Sequence, residues 1–171
     1  MEKSYKKIPT PLEQAMKLLS VRPHSTAELT EKLKKRNLSA STIRETVAEC
    51  RRYGFLNDEL YAADYAELLA SRGCGPFLIR RHLLQKGIPP EIAGRVLAEK
   101  RDGELERARA AADFKLRMIS GEKDPRKKRE KLYRFLAGRG FTAAVIRQVM
   151  EQLLYGSSDD GMPEYDGDFD C

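Results

Sequence analysis

Ile79-Arg80-Arg81-His82-Leu83-Leu84-Gln85-Lys86-Gly87-Ile88 decides the architecture of this chain. Ile79 and Leu83 stand four residues apart, about one helical turn, so both face the same side of a helix. Gly87 is the residue type that accepts a left-handed backbone most easily, which ends a helix, and Ile88 returns the chain to a core. The same pattern stands 50 residues earlier, as Leu29, Leu33, Asn37 and Leu38. It recurs 53 residues later, as Leu132, Leu136, Gly140 and Phe141. Self-similarity at this period points to stacked helical units.

The helix after each turn repeats too, with Ile43, Val47 and Cys50, then Ile92 and Val96, then Ile146, Met150 and Leu153, although Glu99 breaks the second series. Start signals agree. Ser25-Thr26-Ala27-Glu28 is a capping box, Pro76 and Pro125 suit a first helical position, and Asn57-Asp58, Ser39 and Thr142 offer caps. Helices are predicted over 11–21, 26–36, 40–53, 58–72, 76–86, 90–101, 103–120, 125–138 and 142–154. Only Gly103 interrupts the stretch from Pro90 to Met118, so one long bent helix there is an alternative to two. The fold class is all-α: three tandem three-helix, helix-turn-helix-like repeats over 11–56, 57–101 and 102–155, preceded by a basic segment 1–10 and followed by an acidic, disordered tail 156–171. Repeat proteins contact mainly their neighbours, so an elongated, curved molecule is expected.

With 41% hydrophobic residues among 171, the chain can bury a core, and 34% charged residues without Trp favour helices with wide solvated faces. No apolar stretch approaches the roughly 20 residues that span a bilayer, and no signal-peptide core follows Lys3, Lys6 and Lys7. The expectation is a cytoplasmic monomer with no membrane partner. Cys50, Cys74 and Cys171 lack paired metal-ligand spacing and read as free thiols. There is no P-loop or dinucleotide glycine pattern, and His24 and His82 lie in separate repeats without a nucleophile motif. A non-enzyme without catalytic, cofactor or metal residues is therefore expected, with His24 read as a surface turn residue.

The formal charge of +6 understates how basic the repeats are. Residues 157–171 hold six of the 26 acids and no base, which leaves 32 bases against 20 acids, +12, in the rest. Such an excess suits a polyanion such as nucleic acid. Arg80 and Arg81 follow Ile79 by about 100° and 200° around the helix and so point sideways and outward. Lys34 and Lys35 occupy the comparable surface of the first repeat, and Arg51 and Arg52 close its third helix. Arg126, Lys127, Lys128 and Arg129 form the densest basic run, just inside a helix start, where the helix dipole favours an anion. Arg36, Lys86 and Arg139 precede the three helix-ending residues, and Arg72 stands 50 residues after Arg22. Cations at helix ends also serve the dipole, so recurrence there has an architectural reading beside the binding one. For any single cation a solvated face explains the pattern as well as a phosphate contact; together they would give salt-dependent, largely sequence-independent affinity. The tail could act as an intramolecular polyanion competing for the basic face.

The segment Ser71-Arg72-Gly73-Cys74-Gly75-Pro76-Phe77-Leu78 continuing into Ile79–Ile88 resembles the central signature of the RecX family, regulators of the RecA recombinase. Val21 through Leu33 is similar to that family's first repeat, Arg139-Gly140-Phe141 to part of its last, and Gly54-Phe55-Leu56-Asn57-Asp58 with Tyr61-Ala62 to the junction of its first two. The resemblance covers about residues 12 to 154. His82 departs from it, standing where many relatives carry a carboxylate, and the acidic tail lies outside the family core. The resemblance implies a protein without cofactor that binds RecA and the single- or double-stranded DNA of its filament. It also implies lowered recombinase and coprotease activity in recombination, DNA repair and the SOS response. Two other readings remain open on the residues alone: a helix-turn-helix transcription regulator, which needs base-reading side chains where these helices offer mostly Lys and Arg, and a protein adaptor without DNA dependence.

Overall fold

A computed structural model of the chain describes residues 9–100 and 102–154. The first eight residues, Arg101 and the acidic tail lie outside the described residues. Among those described there are nine helices and no strand. The first unit holds α1 (Pro11–Leu19), α2 (Thr26–Lys34) and α3 (Ala40–Arg52); the second holds α4 (Asp58–Ser71), α5 (Pro76–Gln85) and α6 (Pro90–Glu99). The third holds α7 (Glu104–Met118), α8 (Pro125–Gly138) and α9 (Ala143–Leu154).

Local chemistry sets the boundaries. Thr10 and Ser25 both form reciprocal capping boxes, with Glu13 and Glu28. Asn57 and Asp124 each accept hydrogen bonds from two free amides at the starts of α4 and α8. The three helix-ending residues of the repeat all take positive φ, 59° at Asn37, 72° at Gly87 and 80° at Gly140. The stretch from Pro90 to Met118 resolves into two helices, α6 and α7. Gly103, at φ 81°, stands in the left-handed region between them, and a helix cannot run through that backbone.

Each unit buries its own core. Leu29 and Leu33 pack with Ala15, Ile43, Val47, Cys50 and Leu56; Ile79, Leu83 and Ile88 with Ala62, Ala66, Ala93 and Val96; Leu132, Leu136 and Phe141 with Ala108, Ala112, Ile146 and Val149. The first helices contribute small alanines to these cores: Ala15, Ala62 and Ala66, and Ala108 and Ala112.

The units meet through one repeated device. At the first junction the closing turn of α5 docks on the start of α2: the Ser25 hydroxyl donates to the Lys86 carbonyl at 2.5 Å. Gly87 lies so close to Ala27 that a Cβ built on it would stand 2.3 Å from the Ala27 Cβ. At the second junction the closing turn of α8 docks on the start of α5. The Gly75 amide donates to the Arg139 carbonyl at 2.8 Å, and the Phe77 amide to the Gly140 carbonyl at 3.0 Å. Helix α5 has no side-chain cap; the carbonyls left over at the end of α8 satisfy its free amides instead. The middle helices thus follow one another end to start, α8 to α5 to α2.

Candidate nucleic-acid interface

Glu28 is the hub of the first junction. Its carboxylate accepts two hydrogen bonds from Arg22 at 3.1 Å, one from the Lys86 ammonium at 2.7 Å and one from the Tyr61 hydroxyl at 3.1 Å. Burial pushes this carboxyl up, but the hydrogen bonds from Arg22 and Lys86, with the two positive charges, outweigh it and hold it at about 2. Burial, with the Glu28 charge beside it, pushes the Tyr61 phenol up to about 12. The capping glutamate of the sequence motif therefore also ties the α1–α2 turn, α4 and the closing turn of α5 to the start of α2.

This arrangement divides the candidate residues. Lys86 is half-buried, paired with Glu28, and 5.7 Å from the Tyr65 ring, so it serves the junction. Arg51 donates to the Thr26 hydroxyl at 3.1 Å and pairs with Asp58 at 3.5 Å, bracing α3 against the next unit. Arg139 donates to the Arg72 carbonyl at 2.8 Å while its guanidinium lies 5.0 Å from the Phe135 ring. His24, read from sequence as a surface residue, is buried; its Nδ1–H donates to the Arg22 carbonyl at 2.8 Å, which folds the ring under the α1–α2 turn. Burial lowers its basicity.

Most of the other cations are exposed. Arg80 and Arg81 are exposed near the middle of α5, where Phe77 (63% exposed) and Leu84 (41%) lie on the same side. Residues 77, 80, 81 and 84 recur at helical spacing, so two guanidiniums stand between two apolar side chains. Lys35 is exposed and Lys34 reaches Glu31 at 2.6 Å at the close of α2. Arg52 stacks 4.9 Å over the Tyr53 ring, whose neighbour Phe55 is also half exposed. At the start of α8, Arg126 and Lys127 are exposed while Lys128 and Arg129 are half-buried. The amides of Arg126 and Lys127 already donate to Asp124, at 2.9 and 3.4 Å, which occupies the positive end of that helix. The basic run would meet an anion through its side chains.

Arg72 and Arg139 come together with a third guanidinium that the sequence pattern does not single out, Arg107 of α7, in a cleft of about 390 Å3 between the second and third units. Phe114 and Phe135 line the same cleft. No group of His, Cys, Asp and Glu among the described residues is arranged to hold a metal ion, and no described helix is long and apolar enough to cross a membrane. Both described cysteines, Cys50 and Cys74, are free and buried; Cys171 lies outside the described residues.

Family models of RecX match the chain three times: the first three-helix domain over residues 12–50, the second over 57–97 and the third over 102–150. A regulatory protein RecX of Legionella pneumophila is 30% identical over 141 residues, covering 82% of this chain and 93% of the relative. That of Chlorobaculum tepidum is 34% identical over 144 residues, 84% of this chain and 88% of the relative. The crystal structure of RecX from Lactobacillus salivarius superposes with a TM-score of 0.77 at 24% identity, covering 84% of this chain and 94% of that one. That likeness supports the three-unit fold.

Proposed function

The chain belongs to the RecX family of regulatory proteins, and from that membership we propose that it regulates the RecA recombinase by binding along the RecA–DNA filament. The observation that carries this reading is the match of all three units, in order, to the family's three domains. Its setting is recombination, DNA repair and the SOS response in the cytoplasm. The protein works as a monomer, without catalysis or cofactor, and its effect on RecA is inhibitory. The domain limits read from sequence, 11–56, 57–101 and 102–155, are those of its working units.

The outward face of α5 supplies contact chemistry for such a partner. Arg80 and Arg81 offer charge to phosphates or acidic side chains, and Phe77 and Leu84 offer apolar area that water leaves at about 25 cal/mol per Å2. Lys34, Lys35, Arg52, Arg72 and the Arg126–Arg129 run extend the basic surface toward DNA, where phosphate contacts add affinity without reading sequence. A chain bound across adjacent RecA subunits favours the filament states that accommodate it and opposes the others, a shift of population that needs no covalent step. The test is co-sedimentation with RecA filaments on single-stranded DNA. Saturable sedimentation beyond that seen with either component alone supports the proposal, and none across a wide concentration range overturns it.

A further inference from the structure

The cleft between the second and third units has a chemistry the junction does not use up. Arg72, Arg107 and Arg139 bring three guanidiniums to it, and one carboxylate, Glu67, lines it already bridged to Lys100. Arg107 reaches the backbone carbonyls of Lys100 and Asp102 only at 3.4 Å, and its Nε has no hydrogen-bond partner. The Phe114 ring, at 50% exposed, stands in water on the cleft wall beside Phe135. An occupant suited to these groups is anionic and carries aromatic side chains.

The chain itself contains such a segment, Glu164-Tyr165-Asp166-Gly167-Asp168-Phe169-Asp170. We propose that the acidic tail, residues 157–171, docks in this cleft, its carboxylates on the three arginines and Tyr165 or Phe169 against Phe114. The reach suffices. Helix α9 begins at Ala143, four residues beyond Arg139 of the cleft, and its 12 residues rise about 18 Å. From Leu154 to Glu164 an extended chain spans up to about 33 Å, enough to return along α9 to the cleft. Tethering also places the tail at a local concentration on the order of millimolar, well above that of a free competitor. The basic run at the start of α8 would attract the same charge, but the first amides of that helix are already capped by Asp124. Where DNA uses the cleft arginines, which rests on the function proposed above, the docked tail masks them until DNA displaces it.

The full chain carries its own probe site, since Cys50 and Cys74 are buried and Cys171 ends the tail. A nitroxide on Cys171 should broaden the amide resonances of Ser71, Gly73 and Phe114 in the monomeric protein. That broadening should fall several-fold in Phe114→Ala, in the tail variant D166N/D168N/D170N, and in high salt. Broadening spread evenly over the molecule, or centred on Arg126–Arg129, overturns the docking. Adding a single-stranded oligothymidylate then separates the two readings: release of the tail supports masking, whereas contact that persists with DNA bound leaves the docking standing and removes the masking.

Discussion

Gly140 passes Leu78 so closely that a Cβ on Gly140 would stand 2.3 Å from the Leu78 amide nitrogen. Both Gly140, at φ 80°, and Gly75, at φ −84°, pack backbone against backbone at this junction, but only Gly140 also holds a left-handed conformation. A Cβ on Gly75 would meet the Gly140 carbonyl oxygen at 2.3 Å. Gly140→Ala should therefore lower stability by about 2–4 kcal/mol, from strain and crowding together, and Gly75→Ala by about 1–3 kcal/mol from crowding alone. Thermal unfolding checks both, and a Gly75→Ala protein as stable as the parent would show that the units do not dock as described.

Acid should open the first junction. The Glu28 carboxyl titrates at about 2 in the folded chain against an ordinary 4.5, so the folded state binds fewer protons in that interval. Its stabilisation is complete above pH about 4.5 and is lost as the pH falls toward 2. Glu28→Gln keeps the shape, removes the charge that Arg22 and Lys86 share, and should lower stability at neutral pH by about 1–3 kcal/mol. Urea unfolding across pH 2 to 6 should show a gap between the two proteins that narrows in acid; a constant gap would assign the loss to packing.

The α5 face predicts a separation of folding from binding. Arg80 and Arg81 are exposed, so R80E/R81E should keep the helical content and melting temperature of the parent. Where the two arginines contact phosphates, the variant should lose about 2 from the slope of log affinity against log salt on DNA. Fluorescence anisotropy at several salt concentrations measures it, and an unchanged slope would place both arginines away from DNA.

Removing residues 157–171 takes away six acids and no base, raising the formal charge from +6 to +12. DNA binding at low salt should tighten several-fold, with the difference fading as salt screens both forms. Equal affinity of the two forms at low salt would deny the tail any competition with DNA.

Much of the architecture was readable because the same local chemistry occurs three times. Asn37, Gly87 and Gly140, the apolar pairs and the caps at Ser25, Asn57 and Asp124 each act within a few residues, so spacing reveals them. The junctions were not readable. Nothing in the spacing says that Glu28 of a capping box will also collect Lys86 from 58 residues away, or that the unoccupied cap of α5 is filled by α8. Charge and type single out Lys86, Arg51 and Arg139, but spacing does not show that Lys86 pairs with Glu28, Arg51 with Asp58, or that Arg139 donates to the Arg72 carbonyl. Arg107 carried no signal because the recurring spacing lies in the second and third helices of each unit, and Arg107 stands on a first helix, α7. His24 failed for a related reason: a polar residue beside a cap looks solvated until the fold closes over it.

The central claim is tested most directly by RecA's DNA-dependent ATPase, followed with filament growth while the purified protein is titrated in. The account predicts that both fall in a concentration-dependent manner on the parent chain, and that R80E/R81E needs markedly more protein for the same effect. No change in either activity, at concentrations well above those of the RecA filament, would contradict it.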